Sequence, residues 1–228
     1  MDDPMTVLAL AAAIWFGIHA FVAGSPLRAR LVGALGEVKY RGLFSLMSVA
    51  ALALLIWAYK GAPVVALWSG APFKALAQWV MPIAFILFIC GVTTPNPSSA
   101  GQERLLDKAD AAVGIQKITR HPFLWSVALW SLVHVLARGE LAGLLFFGSL
   151  GATALVGTAQ IDAKNRARNA EGFARYAAVT SNLPLAALVQ GRARVGLGEI
   201  GWWRILAALA AWAAAYHFHA AVFGVSAA

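Results

Sequence analysis

The chain has 228 residues, of which 61 % are hydrophobic and 12 % charged, with a mean hydropathy of +0.72; a soluble domain of that length needs far more polar surface, so the composition excludes one. The single cysteine, Cys90, excludes an internal disulfide and multi-cysteine zinc or iron–sulfur frameworks. The net charge of +8 is carried by residues that flank apolar runs instead of forming a patch with interleaved aromatics, and no nucleic-acid partner is expected.

Six apolar runs approach the ~20 residues that cross a bilayer as a helix. The first covers about 5–24 and stops at Ser25-Pro26. Met1-Asp2-Asp3-Pro4 lacks the basic n-region of a signal peptide, so this span is expected to be retained. The second covers about 43–59, and the third about 75–92 with Pro82 as a kink. Thr93-Thr94-Pro95-Asn96-Pro97 then ends the helix. Ser99 and Gln102 read as a capping box. Behind it Leu105, Leu106, Ala109, Ala112 and Val113 share a face, which predicts a short helix on the membrane surface, broken at Gly114. The fourth span starts at Pro122 and ends near 137, and the fifth covers about 141–161. Asp162 to Tyr176 can extend the fifth as helix beyond the membrane, and Pro184, Gly191, Gly196, Gly198 and Gly201 mark a returning loop. The sixth span covers about 202–224. The fold class is an all-α integral membrane bundle, whose first partner is the lipid bilayer.

Charge orients this bundle. Fifteen of the 18 lysines and arginines fall between spans one and two, three and four, or five and six; only Lys60, Lys74 and Arg138 lie on the other side. The positive-inside rule therefore predicts cytoplasmic basic loops and both termini outside, which in a bacterial inner membrane means periplasmic. Trp57, Trp68 and Trp79 mark the outer interface, and Trp125, Trp202 and Trp203 the inner one.

All five histidines lie in or at the mouth of these spans, where an ionisable group marks a functional site by default. Imidazole is also the commonest metal and haem ligand. Helical rise sorts them by depth. His19, about one turn from the basic end of span one, and His121, at the mouth of span four, share an inner tier. His134 lies roughly 20 Å further along its helix; with His217 and His219 it forms an outer tier, and those last two, being two residues apart, cannot face one site on a regular helix. His121 precedes Pro122, a favoured first helical residue, and the helix N-terminus there keeps the imidazole neutral with a lone pair for iron. Arg28, Arg41, Lys117 and Arg120 stand near that level as partners for haem propionates, and basic residues there also anchor to lipid headgroups. The bland readings are that His121 caps its helix and that His19 bonds between helices, a contact worth only ~1 kcal/mol in membranes.

Several segments carry a resemblance. Gly17-Ile18-His19, Ser25-Pro26-Leu27-Arg28, Tyr40-Arg41-Gly42, Asn96-Pro97 and above all Gly114-Ile115-Gln116-Lys117-Ile118-Thr119-Arg120-His121-Pro122 resemble the NnrU family. The likeness spans nearly the whole chain, 1–228 as one transmembrane domain, and implies a bacterial membrane protein linked to denitrification. That family is similar to the 15-cis-ζ-carotene isomerases. This implies haem b, axial ligation by His19 and His121, and cis/trans isomerisation of a hydrophobic polyene. Those isomerases also carry a cysteine beside the Arg-His-Pro motif; this chain has Ile118 and Thr119 there, with Cys90 on the preceding span. A non-enzymatic haem protein or assembly factor is the second possibility. The third comes from Arg120-His121-Pro122 with Glu171-Gly172-Phe173-Ala174-Arg175-Tyr176 and Asn182-Leu183-Pro184, which resemble a worn pattern of membrane methyltransferases. That pattern implies S-adenosylmethionine held by Glu171 and Tyr176.

Overall fold

The computed structural model describes residues 3–108 and 110–227. Helix α1 (Pro4–Gly17) is capped by Asp3, whose carboxylate accepts from the Thr6 amide at 3.1 Å, and continues as a π-helical turn over Ile18–Ala23. Helices α2 (Pro26–Leu35), α3 (Glu37–Gly61) and α4 (Ala71–Thr93) follow. Next come α5 (Pro122–Arg138), α6 (Leu141–Arg168) and α7 (Ala170–Ala178). Two single turns, α8 (Ala186–Val189) and α9 (Leu197–Ile200), precede α10 (Trp202–Phe223).

Five helical stretches are long and apolar enough to cross a membrane, and α5, with 17 residues, is a shorter apolar helix between two of them. The six runs read from composition thus coincide with six helices, and Pro82 lies inside α4 as expected. The helices form a folded row. α3 packs on α1, α1 on α6, α6 on α5, α5 on α4, and α10 lies outside α4. Large apolar side chains on the outer helices face away from protein, among them Leu46 on α3 and Leu206 on α10. That is the pattern of a bundle solvated by hydrocarbon.

The surface helix expected behind Ser99 contracts to one 3-10 turn, Glu103–Asp107, and Ala109 falls outside the described residues. Local chemistry competes it away. Gly101 adopts a positive φ of 85°. The Gln102 amide oxygen accepts from the Asn96 backbone at 2.8 Å instead of closing a capping box on Ser99. Leu106 is buried against Phe173 and Tyr176 of α7, so the apolar face meets protein and not lipid. The helical extension beyond span five does form, but it breaks at Asn169, which caps α7 through Gly172 at 2.8 Å.

Small residues set the helix spacing where α4 and α5 meet. A Cβ on Gly91 would come within 2.6 Å of the Phe123 amide nitrogen and 3.0 Å of its Cα. Backbone cannot yield there as a side-chain tip can. Close approach of this kind is what small residues provide between membrane helices. Gly91→Ala is therefore expected to destabilise the fold by about 1–3 kcal/mol, the usual cost of overpacking. Thermal unfolding in detergent micelles checks this, with Gly33→Ala, where a Cβ meets nothing within 4 Å, as the comparison.

Candidate functional site

The end of the bundle where Arg28, Arg41, Lys117 and Arg120 gather is its basic end. Two features lie there side by side, an apolar cavity containing His19 and a buried polar cluster containing His121.

The cavity has a volume of about 590 Å³ and lies between α1, α4, α5 and α6. Its wall is almost wholly apolar and aromatic, including Trp15, Phe85, Phe88, Phe123, Leu124 and Trp130, with His19 as its one imidazole. His19 sits at the head of the π-helical turn. Such turns leave a carbonyl without its usual partner and recur at functional sites. Here Gln160 of α6 supplies one, donating to the Ala20 carbonyl at 3.0 Å. Ser25 donates to the Phe21 carbonyl. Gly24 lies beside them, and the Gln160 side-chain amide packs where a Cβ would stand.

The His19 ring is fixed on both sides. Its Nδ1 lies 2.8 Å from the Trp15 carbonyl of its own helix. A carbonyl only accepts, so Nδ1 carries a proton, and in the neutral ring Nε2 then keeps its lone pair. The Trp15 ring lies 4.2 Å from the imidazole and Phe44 5.5 Å from it. The expected hydrogen bond from His19 to another helix is replaced by this bond within α1.

His121 is 2 % exposed, and its ring does not cap α5. Its Nε2 lies 2.8 Å from Asp162 Oδ1. Arg120 donates to the same carboxylate, from Nε at 2.9 Å and Nη2 at 2.8 Å. A carboxylate only accepts, so Nε2 of His121 carries a proton. In the neutral ring Nδ1 then holds a bare lone pair, and that atom is buried without a hydrogen-bond partner. An orphaned buried nitrogen costs about 1–3 kcal/mol. A carboxylate on one imidazole nitrogen with the other nitrogen open is also how a ligating histidine is oriented. His121 itself does not line the cavity, whereas Phe123, Leu124 and Ser126 from the first turns of α5 do.

Around this dyad the loops of the basic end are tied by buried polar groups. Asn96 donates to the Arg120 carbonyl at 3.1 Å, Thr119 to the Asn182 carbonyl at 2.7 Å, and Gln116 to the Pro95 carbonyl. The Tyr176 hydroxyl reaches Gln116 at 3.2 Å and Asn96 at 3.3 Å. Burial holds its pKa far above the ordinary phenol value, so it acts as a fixed donor. Glu171 points the other way, largely exposed and paired with Arg175 at 2.6 Å. The two halves expected of an S-adenosylmethionine site are therefore not brought together.

The four cations expected near haem propionates all carry carboxylate partners already. Arg28 and Arg41 share Glu37 at 2.6 and 2.7 Å, Lys117 meets Glu199 at 2.6 Å, and Arg120 holds Asp162. None of them lines the cavity. Cys90 is fully buried in an apolar cluster with Leu87, Ile115 and Ile200. Among the outer-tier histidines, His134 and His219 face one further cavity while His217 does not. Trp68 and Trp125, expected at the two interfaces, donate to the Leu136 carbonyl at 2.9 Å and to Asn182 at 3.3 Å.

Two features escaped the sequence reading and carried a signal. Asp162 is the one acidic residue of α6. Trp15-x-x-x-His19 recurs as Trp130-x-x-x-His134, an i,i+4 spacing that stacks the two rings.

Breaking one side of the buried ion pair leaves the other charge stranded. Asp162→Ala is expected to cost about 3–5 kcal/mol, and Arg120→Leu with Asp162→Leu together to recover much of it. Unfolding of the three proteins in detergent decides this; equal losses in the single and double variants would contradict it.

Glu103 gives a pH signature. Burial raises its pKa, but its own backbone amide, that of Gly101, Arg168 at 3.3 Å and Arg41 at 3.6 Å outweigh burial and bring it below the ordinary 4.5. A lowered carboxylate pKa stabilises the fold above the unfolded value and ceases to as pH falls through the folded one. Glu103→Gln is thus expected to be less stable than the parent at pH 7, with the gap closing below pH 4.5. Melting temperatures across that range test it.

A family model described as NnrU protein matches residues 7–227. No curated protein and no solved structure matches the chain.

Proposed function

The chain belongs to the NnrU family, and from that premise we propose that it is a multi-pass haem b protein of the bacterial inner membrane. Its basic end is cytoplasmic and both termini are periplasmic. The observation that carries the proposal is the His19 imidazole, set in an apolar cavity of about 590 Å³ with Nδ1 bonded to a carbonyl and Nε2 left as a lone pair. That is the state in which an imidazole ligates iron.

His19 would hold the iron through Nε2, and His121, oriented by Asp162, would offer Nδ1, the nitrogen that lacks a partner among the described residues. Bound haem would supply an iron centre, able to engage a double bond or a small diatomic ligand wherever only one of the two imidazoles holds it. The protein does the rest. Trp15, Phe88, Phe123 and Trp130 exclude water and offer flat faces to a macrocycle. Arg120 keeps Asp162 ionised, so the carboxylate continues to orient His121. Arg28, Arg41 and Lys117 lie at the level of the headgroups, where an exchange of carboxylate partner would let them meet propionates.

The reaction we propose is cis/trans isomerisation of a polyene, entering from the lipid because the cavity wall offers apolar contact and almost no hydrogen bonding. Purified protein is expected to show a Soret band, and His19→Ala to lose most of it. Asp162→Asn is expected to weaken haem retention by about 10–100-fold, as removal of a ligand's supporting carboxylate does. A His19→Ala, His121→Ala protein that still holds its haem normally would overturn the assignment. If reduced holoprotein leaves cis polyenes in liposomes unchanged yet passes haem to an acceptor apoprotein, the isomerase reading falls and a haem carrier or assembly factor takes its place.

A further inference from the structure

A second cavity, of about 380 Å³, opens between α4, α5 and α10 at the end of the bundle away from the basic loops. We propose that it binds the head of a lipid-soluble hydroquinone. This does not depend on haem occupying the neighbouring cavity.

The chemistry of the wall selects the ligand. His134 Nδ1 lies 2.7 Å from the Trp130 carbonyl and His219 Nδ1 lies 2.7 Å from the Val225 carbonyl. Both partners only accept, so both Nδ1 atoms carry protons. In their neutral form these two wall residues offer two Nε2 lone pairs. Two acceptors call for a ligand with two O–H donors. Gln78 and Tyr216, 3.5 Å apart across α4 and α10, add hydrogen-bonding capacity of either sense.

Charge and place narrow the class further. Arg138 and Glu140 neutralise each other at 2.6 Å, and Lys74 is also engaged. A charged head gains no counter-ion from Arg138 and Glu140, which compensate each other, and this favours a neutral one. The cavity sits among lipid-facing helices, with Trp79 of α4 79 % exposed and Phe218 of α10 56 % exposed. A ligand reaching it from the bilayer carries an apolar tail. Among neutral, two-hydroxyl, lipid-borne heads, the flat ring of a hydroquinone is the one that the aromatic side chains of Phe85, Trp212 and Tyr216 in the wall favour. Met81 and Phe85 belong to the walls of both cavities, so a head bound here abuts the His19 cavity through two side chains.

The probe is decylubiquinol, titrated anaerobically into the purified full chain while tryptophan emission, including that of Trp212 in the wall, is followed. Saturable quenching is expected, with weaker binding of the oxidised quinone, which has no O–H to give. His134→Ala and His219→Gln are each expected to weaken binding by at least about tenfold, the worth of one charge-free hydrogen bond at the upper end of its range. His217→Ala, on the same helix but outside the cavity, is expected to leave it unchanged. Circular dichroism melts confirm that each variant is folded; should His134→Ala fail to fold, His219→Gln near the helix end carries the test alone. Quenching that does not saturate, equal affinity for quinol and quinone, or binding indifferent to His219→Gln would overturn the proposal. So would tight Zn²⁺ binding that needs both histidines while decylubiquinol is ignored. Loss of haem in His19→Ala with quinol binding intact would leave this inference standing whatever becomes of the haem reading.

Discussion

One carboxylate organises the basic end of this bundle. Asp162 stands near the end of a helix whose preceding residues, 141–161, carry no charge. Hydrocarbon offers such a group nothing, and isolated it would be expelled or protonated. Arg120 and His121 resolve the conflict together by delivering a guanidinium fork and an imidazole to its two oxygens. Because those two residues immediately precede Pro122, the contact fixes where α5 begins relative to α6. The first turns of α5 form one wall of the cavity that holds His19. The height of that wall is thus set by a charge pair outside it.

The same contact explains why the flanking loops are ordered without being regular. Once Arg120 and His121 are committed to Asp162, their backbone groups must find partners elsewhere. The Arg120 carbonyl accepts from Asn96 at 3.1 Å and its amide donates to the Ser181 carbonyl at 2.9 Å. Thr119 and Leu185 close the next links, to the Asn182 and Ile118 carbonyls. A fully satisfied polar network is rigid, and a half-satisfied one is worse than none. Asn96, Gln116, Thr119 and Thr180 are therefore buried to within a few per cent although they lie between spans.

The helices were legible because hydrocarbon thickness imposes a length and a composition, and both can be read residue by residue. The grouping of histidines by depth followed from the same arithmetic, and His134 and His219 do meet at one cavity. Contacts set by side-chain competition were not legible. Nothing in the spacing of Ser99 and Gln102 reveals that Asn96 captures the glutamine first. An apolar stripe over 105–113 fits a lipid surface as well as it fits α7, and only the tertiary fold chooses between them. Asp162 was visible as the first charge after a long uncharged run, but its partners lie 41 and 42 residues away, a separation beyond any helical periodicity.

The two tiers differ in what surrounds an otherwise identical device. Trp15 with His19 and Trp130 with His134 each place an indole against an imidazole, at 4.2 and 4.9 Å, and each takes the Nδ1 proton with the tryptophan's own carbonyl. A residue four positions earlier on the helix thus fixes both ring and tautomer, leaving Nε2 to whatever lies in front of it. In front of His19 is an apolar and aromatic wall, which offers packing and almost no hydrogen bonding. Beside His134 are a second imidazole, an amide, a phenol and a neutralised ion pair, which favour a small neutral head rich in hydroxyls. Trp130 and Met81 belong to the first wall while Met81 also belongs to the second. The bundle thus sets two cavities of different lining side by side by repeating one local motif at two depths.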